Sequence, residues 1–214
     1  MSQREGKAPE CIIHTHAGRG FDLFDFCRFS IRLESIARAL AMKCRFNGMV
    51  KFHYSVALHS LFVEQIVRER YGLEYALQAL FHDCTEFPLP DVVSPFKPCL
   101  YVRKGKDFEP YREYEDKLAR HVFLEFGIDP IMPPVIKVVD LEVLAAERAQ
   151  VVHNPKLMHW RELPEPADIE IKRMQPEEVE TMFIERFCWL QKAIAEAKRS
   201  RPAGAKERQH RLTT

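Results

Sequence analysis

A histidine and an aspartate stand side by side near the middle of the chain, and a glutamate follows three residues later. These residues are His82, Asp83 and Glu86. On a helix, the adjacent pair would diverge by about 100° around the axis, and Glu86 would return to the same side. Imidazole nitrogens and carboxylate oxygens are donors that bind divalent transition metals in proteins. The pattern therefore predicts two metal ligands, with a carboxylate one turn away that could orient or deprotonate a metal-bound water.

Two further polar residues stand in apolar stretches of the sequence. His59 lies among aliphatic and aromatic residues, and Asp140 lies between Val139 and Leu141. A lone histidine in such a stretch is more often a packed core residue than a ligand. A buried carboxylate, however, needs a cation or strong donors. Together with the histidine–aspartate pair, these residues predict one metal site assembled inside a helical bundle.

Apolar periodicity predicts the helices that must position these side chains. The predicted helices cover 33–44, 55–71, 73–87, 108–126, a segment beginning after Pro133-Pro134, and 177–198. Gly48 is predicted to end the first helical region in the left-handed conformation, and Pro88 to end the third helix. The segments 91–107 and 154–176 are rich in proline and are predicted to be irregular. The predicted fold class is all-α.

The composition restricts the protein class. A chain of 214 residues with 46% hydrophobic residues predicts one globular domain with a substantial core. The net charge of +1 indicates no general affinity for nucleic acids or membranes. No apolar run approaches the length of a bilayer span, and no signal peptide is recognisable. The 6 cysteines are scattered without a C-x-x-C pair, which fits a reducing compartment. We therefore expect a soluble, cytoplasmic protein without a membrane or a stable nucleic-acid partner.

The order of these residues resembles the H…HD…D signature of the HD-domain superfamily of metal phosphohydrolases. Longer strings are similar to bacterial 5′-deoxynucleotidases and their prophage- or phage-encoded relatives: YSVALHS at 54–60, HDCTE at 82–86, DVVSPFK at 91–97, RFNG at 45–48 and GRGFD at 18–22. The resemblance covers roughly residues 15–150. It implies an HD-domain helical bundle, here expected over 21–197, between an N-terminal arm (1–20) and a basic, disordered tail (198–214).

The resemblance also implies a ligand set and a catalytic pair. The implied ligands of one divalent metal ion are His59, His82, Asp83 and Asp140. Cobalt, manganese, zinc, iron, nickel and magnesium are all open as the metal, because mixed imidazole and carboxylate ligation suits each of them. Glu86 matches the catalytic acid/base of the family, and Asp83 is assigned to catalysis as well as to the metal.

Four further residues are implied to contact a substrate. Arg45 and Lys97 match basic residues near a phosphate, Asp91 matches a carboxylate that contacts the sugar, and Phe46 stands where an aromatic residue packs on the sugar or base. Often that aromatic residue is a tryptophan, so Phe46 leaves the sugar selectivity open. The residues alone allow plainer readings of Arg45 as a cation at a helix end, Lys97 as a surface lysine and Asp91 as a turn former.

The implied activity is hydrolysis of deoxynucleoside 5′-monophosphates to a deoxynucleoside and phosphate. An alternative is a deoxynucleoside triphosphate triphosphohydrolase that releases tripolyphosphate, since the same metal site serves both reactions. A catalytically silent nucleotide-binding module is the alternative outside enzymes. The expected partners are a nucleotide substrate and, from the resemblance, a second copy of the chain in a homodimer.

Overall fold

The computed structural model describes residues 11–155 and 162–200. Its helices are α1 (Leu33–Met42), α2 (Val56–Tyr71), α3 (Ala76–Leu80), α4 (Tyr111–Glu125), α5 (Pro134–Gln150) and α6 (Pro176–Ser200). Two antiparallel hairpins accompany them, β1 (Ile12–His14) with β2 (Gly20–Asp22) and β3 (Tyr101–Lys104) with β4 (Asp107–Pro110). The described chain is thus mostly helical, as predicted, and is compatible with a helical bundle. The hairpins were not predicted.

The second helix is the central element of the packing. α2 packs against α1, α3, α5 and α6. It begins where the Ser55 hydroxyl accepts a hydrogen bond from the Leu58 amide at 3.2 Å, and it ends before Gly72, whose φ is 100°. Capping by serine and a glycine after the last turn are common helix boundaries, and both agree with the predicted range 55–71.

An apolar layer fixes α2 against α5. The layer contains Val63 and Val67 of α2 with Val139 and Val143 of α5, all fully buried. Burial of each such side chain stabilises the fold by about 1.5–3 kcal/mol. The helices that carry His59 and Asp140 are therefore held in a fixed register by their apolar neighbours.

The predicted third helix over 73–87 is wrong. α3 ends at Leu80, and a short 3₁₀ turn covers Cys84–Glu86. The physical reason is a side chain: the His82 Nδ1–H donates to the Ala79 carbonyl at 2.8 Å, the acceptor that the Asp83 amide would use in a continuous helix. Pro88 adds a second restriction, because helices rarely continue up to a proline. His82 and Asp83 therefore lie in a turn, and the expected divergence of 100° around a helix axis does not apply.

The segment 91–107 is also more ordered than predicted. Its second half forms β3, and the register places Lys104 opposite Asp107 across a two-residue loop with Gly105 at a φ of 65°. Glycine at positive φ suits a two-residue hairpin loop. Because β4 continues through Pro110, α4 begins at Tyr111, later than the predicted start at Phe108.

The two ends of the chain differ from expectation where they are described. Part of the predicted N-terminal arm forms the β1–β2 hairpin, and the start of the predicted tail, 198–200, belongs to α6. Residues 1–10 and 201–214 lie outside the described residues. Within 162–175 the chain has no helix or strand, which confirms the irregular prediction for that part. None of the described helices combines the length and apolar character of a membrane span.

Candidate metal centre

Three donor side chains from separate elements converge inside the bundle. His59 of α2, His82 after α3 and Asp140 of α5 each offer one atom, and these atoms lie within 4.8 Å of one another. The Nε2 atoms of His59 and His82 are 3.1 Å apart, and Asp140 Oδ1 lies 3.2 Å from the His59 Nε2 and 4.0 Å from the His82 Nε2. A group of this composition and spacing could hold a metal ion.

In each histidine, Nδ1 makes a hydrogen bond outside the group of donors, and Nε2 faces the other donors. The partner of Nδ1 shows which of the two nitrogens carries the lone pair. The His82 Nδ1 contacts the Ala79 carbonyl, which only accepts, so this nitrogen carries the proton. The His59 Nδ1 lies 2.6 Å from Glu147 Oε1, and the pKa of Glu147 is lowered, so this nitrogen is also the donor. In the neutral rings, both Nε2 atoms then present lone pairs to each other and to Asp140. Acceptors that face one another in this way require a cation between them.

Asp83, which follows His82 in the sequence, also directs a carboxylate oxygen toward this centre. Its Oδ2 lies 3.4 Å from the His82 Nε2 and 3.7 Å from the His59 Nε2. The same oxygen lies 3.4 Å from Arg45 Nη1. The structure thus brings all four predicted ligands together, with Asp83 shared between the two imidazoles and a guanidinium.

The electrostatics of the centre show the same demand for positive charge. Burial opposes the charged form of Asp83, but His82, His59 and Arg45 hold its pKa below the usual range. Burial opposes the charged form of Asp140 as well, and His59 and His82 lower its pKa. Burial and Arg45 disfavour protonated His59, yet Glu147 and Asp140 raise its pKa to about 9. Without a metal, a proton on His59 supplies the cation that these acceptors need.

Sequence reasoning missed a residue at the base of this centre. Glu147 of α5 is fully buried, and its two oxygens contact different groups: Oε1 the His59 ring and Oε2 the Arg45 Nη2 at 3.1 Å. Glu147 follows Asp140 by seven residues, so both lie on the same face of α5. That periodic spacing beside the apolar Val139, Val143 and Ala146 is the signal that could have found it.

Glu86, the predicted acid/base, lies beside this centre. Its side chain is 5% exposed, and its buried Oε2 has no hydrogen-bond partner among residues 11–155 and 162–200. Burial, together with the negative charges of Asp83 and Asp91, raises the pKa of Glu86 well above its usual value. A carboxyl whose pKa is raised in this way can act as a proton donor.

Lys43 was also missed by sequence reasoning. Its ammonium donates to the Glu86 and Leu89 carbonyls and so stabilises this turn.

Two of the predicted substrate-binding residues, Asp91 and Lys97, act electrostatically on Glu86. Asp91 is partly buried; burial and Asp83 raise its pKa, although Arg45 works against them. The Lys97 ammonium lies 2.8 Å from Glu115 Oε1 of α4, and its charge acts on both Glu86 and Asp91. The charges of Asp91 and Lys97 thus act on Glu86, while the predicted roles of these residues toward a substrate stay predictions.

The turn that carries Arg45 has an unusual backbone. Phe46 and Asn47 have φ values of 55° and 52°, a region that residues with a side chain seldom adopt, and Gly48 follows at 76°. The left-handed conformation of Gly48 was predicted, but α1 already ends at Met42, so Gly48 closes this separate turn and not the helix. The Arg45 guanidinium carbon lies 5.5 Å from the Phe46 ring centroid. Strained turns of this kind are maintained where they hold a side chain in a required place.

Comparison with known proteins places the chain among relatives. No protein-family model matches the chain. An uncharacterized protein of Rhodobacter capsulatus is 37% identical over 126 residues, which are 56% of this chain and 61% of that protein, less than two thirds of its length. The uncharacterized protein YfdR of Escherichia coli K12 is 30% identical over 179 residues, which are 82% of this chain and 93% of YfdR. The chain therefore belongs to the same family as Escherichia coli YfdR.

Proposed function

We propose that the protein is a metal-dependent phosphohydrolase of the HD-domain type that hydrolyses deoxynucleoside 5′-monophosphates. The observation that carries this proposal is the convergence of the His59 and His82 lone pairs with Asp140 and Asp83 beside the buried carboxyl of Glu86. The donors fit Mn, Co, Fe, Ni, Zn or Mg. A divalent ion held by them would polarise a phosphoryl oxygen and lower the pKa of water.

The chain's own residues supply the remaining requirements of phosphate monoester hydrolysis. Arg45 and Lys97 would neutralise charge on the phosphoryl oxygens, which is the largest demand in such a reaction. Glu86 would donate a proton to the leaving 5′-oxygen, since burial and the negative charges of Asp83 and Asp91 raise the pKa of its carboxyl and so favour the protonated form. Asp91 would accept a hydrogen bond from the sugar, and Phe46 would pack against the sugar or base.

The described contacts favour a monophosphate over a triphosphate. Further basic side chains would be needed for distal phosphates, and several available ones are bound to main-chain carbonyls elsewhere. The Lys51 ammonium donates to Gln150 O at 2.8 Å, the Arg103 Nε to Gly105 O at 2.9 Å and the Lys104 ammonium to Phe24 O at 3.2 Å. Triphosphohydrolase activity and silent nucleotide binding are the outcomes that a direct assay must separate.

The assay incubates metal-stripped protein with deoxynucleoside mono- and triphosphates and with Mn²⁺, Co²⁺, Mg²⁺ or Zn²⁺. The proposal expects metal-dependent phosphate release from the monophosphates. Tripolyphosphate release would support the triphosphohydrolase instead, and nucleotide binding without turnover would support a silent module. Asp83→Ala should abolish turnover, whereas Glu86→Gln should lower it by about 10²–10⁴-fold and keep the metal. Undiminished turnover in Asp83→Ala would contradict the assigned site.

A further inference from the structure

We propose that Glu147 is a positioning residue that aligns His59 with Arg45. One carboxylate oxygen would set the ring of a metal ligand, and the other would set the guanidinium that faces the phosphate. The inference deepens the proposed function and rests on it for the role of Arg45. It assigns to Glu147 no contact with the substrate or the metal.

Glu147 contacts His59 and Arg45 through different oxygens of one carboxylate. The His59 Nδ1 donates to Oε1 at 2.6 Å, and Arg45 Nη2 donates to Oε2 at 3.1 Å. Both hydrogen bonds therefore end on one fully buried side chain, which fixes the His59 ring and the guanidinium relative to each other. Because the Nδ1–H is committed to Glu147, the Nε2 lone pair of His59 is the one presented to the centre. A partner of this kind also raises the basicity of a metal-bound imidazole.

The position of Glu147 on α5 links this alignment to the ligand set. Asp140 lies two turns earlier on the same face, and the fully buried Val143 lies between them against α2. A single rigid helix therefore carries one donor of the centre and the group that orients another. The charge of Arg45 is held in the same way, because its Nη1 lies 3.4 Å from Asp83 Oδ2 while Nη2 lies against Glu147.

A second buried glutamate provides a matched control. Glu64 of α2 is also fully buried, and its two oxygens contact the guanidinium groups of Arg68 and Arg186. Glu64→Gln removes a buried carboxylate from between cations without touching the centre. The same substitution at Glu147 leaves an amide that can accept from only one of its two donors and turns its own N–H toward the other.

The experiment titrates metal-stripped wild type, Glu147→Gln and Glu64→Gln with Mn²⁺ and, separately, with Co²⁺, using isothermal titration calorimetry. We expect Glu147→Gln to lose about 10–100-fold in metal affinity, and Glu64→Gln to lose less than about threefold. The thermal midpoint of each metal-free protein is measured alongside. Equal metal affinity in wild type and Glu147→Gln would overturn the inference, whatever the change in stability.

A shorter carboxylate keeps the test decisive if Glu147→Gln does not fold. Glu147→Asp preserves the charge but withdraws the oxygens by one methylene, so it should show the same direction of affinity loss.

Steady-state kinetics add a second readout: a displaced Arg45 should raise KM for the monophosphate as well as lower kcat. Wild type that binds metal but hydrolyses no nucleotide would refute the proposed function while the affinity comparison still judges the alignment of His59. Wild type that binds neither metal would overturn both.

Discussion

Two fully buried glutamates organise two polar regions of this protein, and they differ in what lies beyond them. Glu64 accepts from Arg68 Nε at 2.8 Å and from Arg186, and these guanidinium carbons lie 5.4 Å and 6.0 Å from the Trp189 ring centroid. Both oxygens of Glu64 accept hydrogen bonds from arginines, so this region serves to link α2 to α6. Glu147 accepts a hydrogen bond from the His59 Nδ1, and the Nε2 of the same ring directs its lone pair at other acceptors.

The ionisation of the two carboxyls reflects this difference. Burial raises the pKa of Glu64, and its two arginines do not reverse that effect. Burial acts on Glu147 in the same direction, but Arg45 and His59 lower its pKa below the usual value. The ion pairs of Glu64 thus indicate a structural link between helices. The hydrogen bonds around Glu147 end on imidazole lone pairs and indicate a binding site for a cation.

Removal of one arginine from each region should separate them most strongly. Arg45→Met leaves Glu147 and Asp83 without their guanidinium, and we expect a loss of about 3–5 kcal/mol in the free energy of unfolding. Arg186→Met leaves Glu64 with Arg68 in a more solvated place, since the Arg186 side chain is 30% exposed, and should cost about 1 kcal/mol. Urea unfolding measures both values. Equal losses would erase the distinction between the regions.

Metal addition should stabilise the protein only through the Glu147 region. At a free Mn²⁺ concentration of about 100 times Kd, binding adds about 2.7 kcal/mol to the free energy of unfolding. For a chain of this size, the thermal midpoint should then rise by about 5–10 °C. Glu64→Gln should keep this rise and His82→Ala should lose it, as measured by differential scanning calorimetry. A rise that survives in His82→Ala would place the metal elsewhere.

The smallest expected effect is a pH dependence in the Glu64 region. Because the folded-state pKa of Glu64 is raised above 4.5, the folded protein holds the proton more tightly than the unfolded chain does. Its contribution to stability is therefore present below pH 4.5 and decreases as the pH rises through the raised pKa. Wild type should lose stability relative to Glu64→Gln over that window, as measured by urea unfolding at a series of pH values. A difference that grows in the opposite direction would contradict the raised pKa.

The sequence allowed accurate prediction of the elements whose boundaries depend on local chemistry. Ser55 and Gly72 bound α2, and Pro134 occupies the first turn of α5, where a missing N–H costs little. Periodicity therefore placed His59 and Asp140 on two helices whose apolar faces meet. The approach of His59 and Asp140 follows from that packing, whereas His82 and Asp83 reach them from the turn after α3.

Other features depend on contacts that no local pattern contains. α3 ends at Leu80 because the His82 imidazole donates a hydrogen bond to the Ala79 carbonyl. The sequence pattern of such a turn does not differ from that of a helix interior, so the pattern alone could not predict it. Glu147 resembles an ordinary helical glutamate until the fold brings His59 and Arg45 to it.

An anomalous difference map from crystals of the Mn²⁺-loaded protein would test the metal centre most directly. We predict one strong peak per chain, within about 2.0–2.3 Å of the His59 and His82 Nε2 atoms and of an Asp140 oxygen. Glu147 should remain hydrogen-bonded to the His59 Nδ1. A peak at any other place, or two imidazoles that share a proton with no metal between them, would contradict the account.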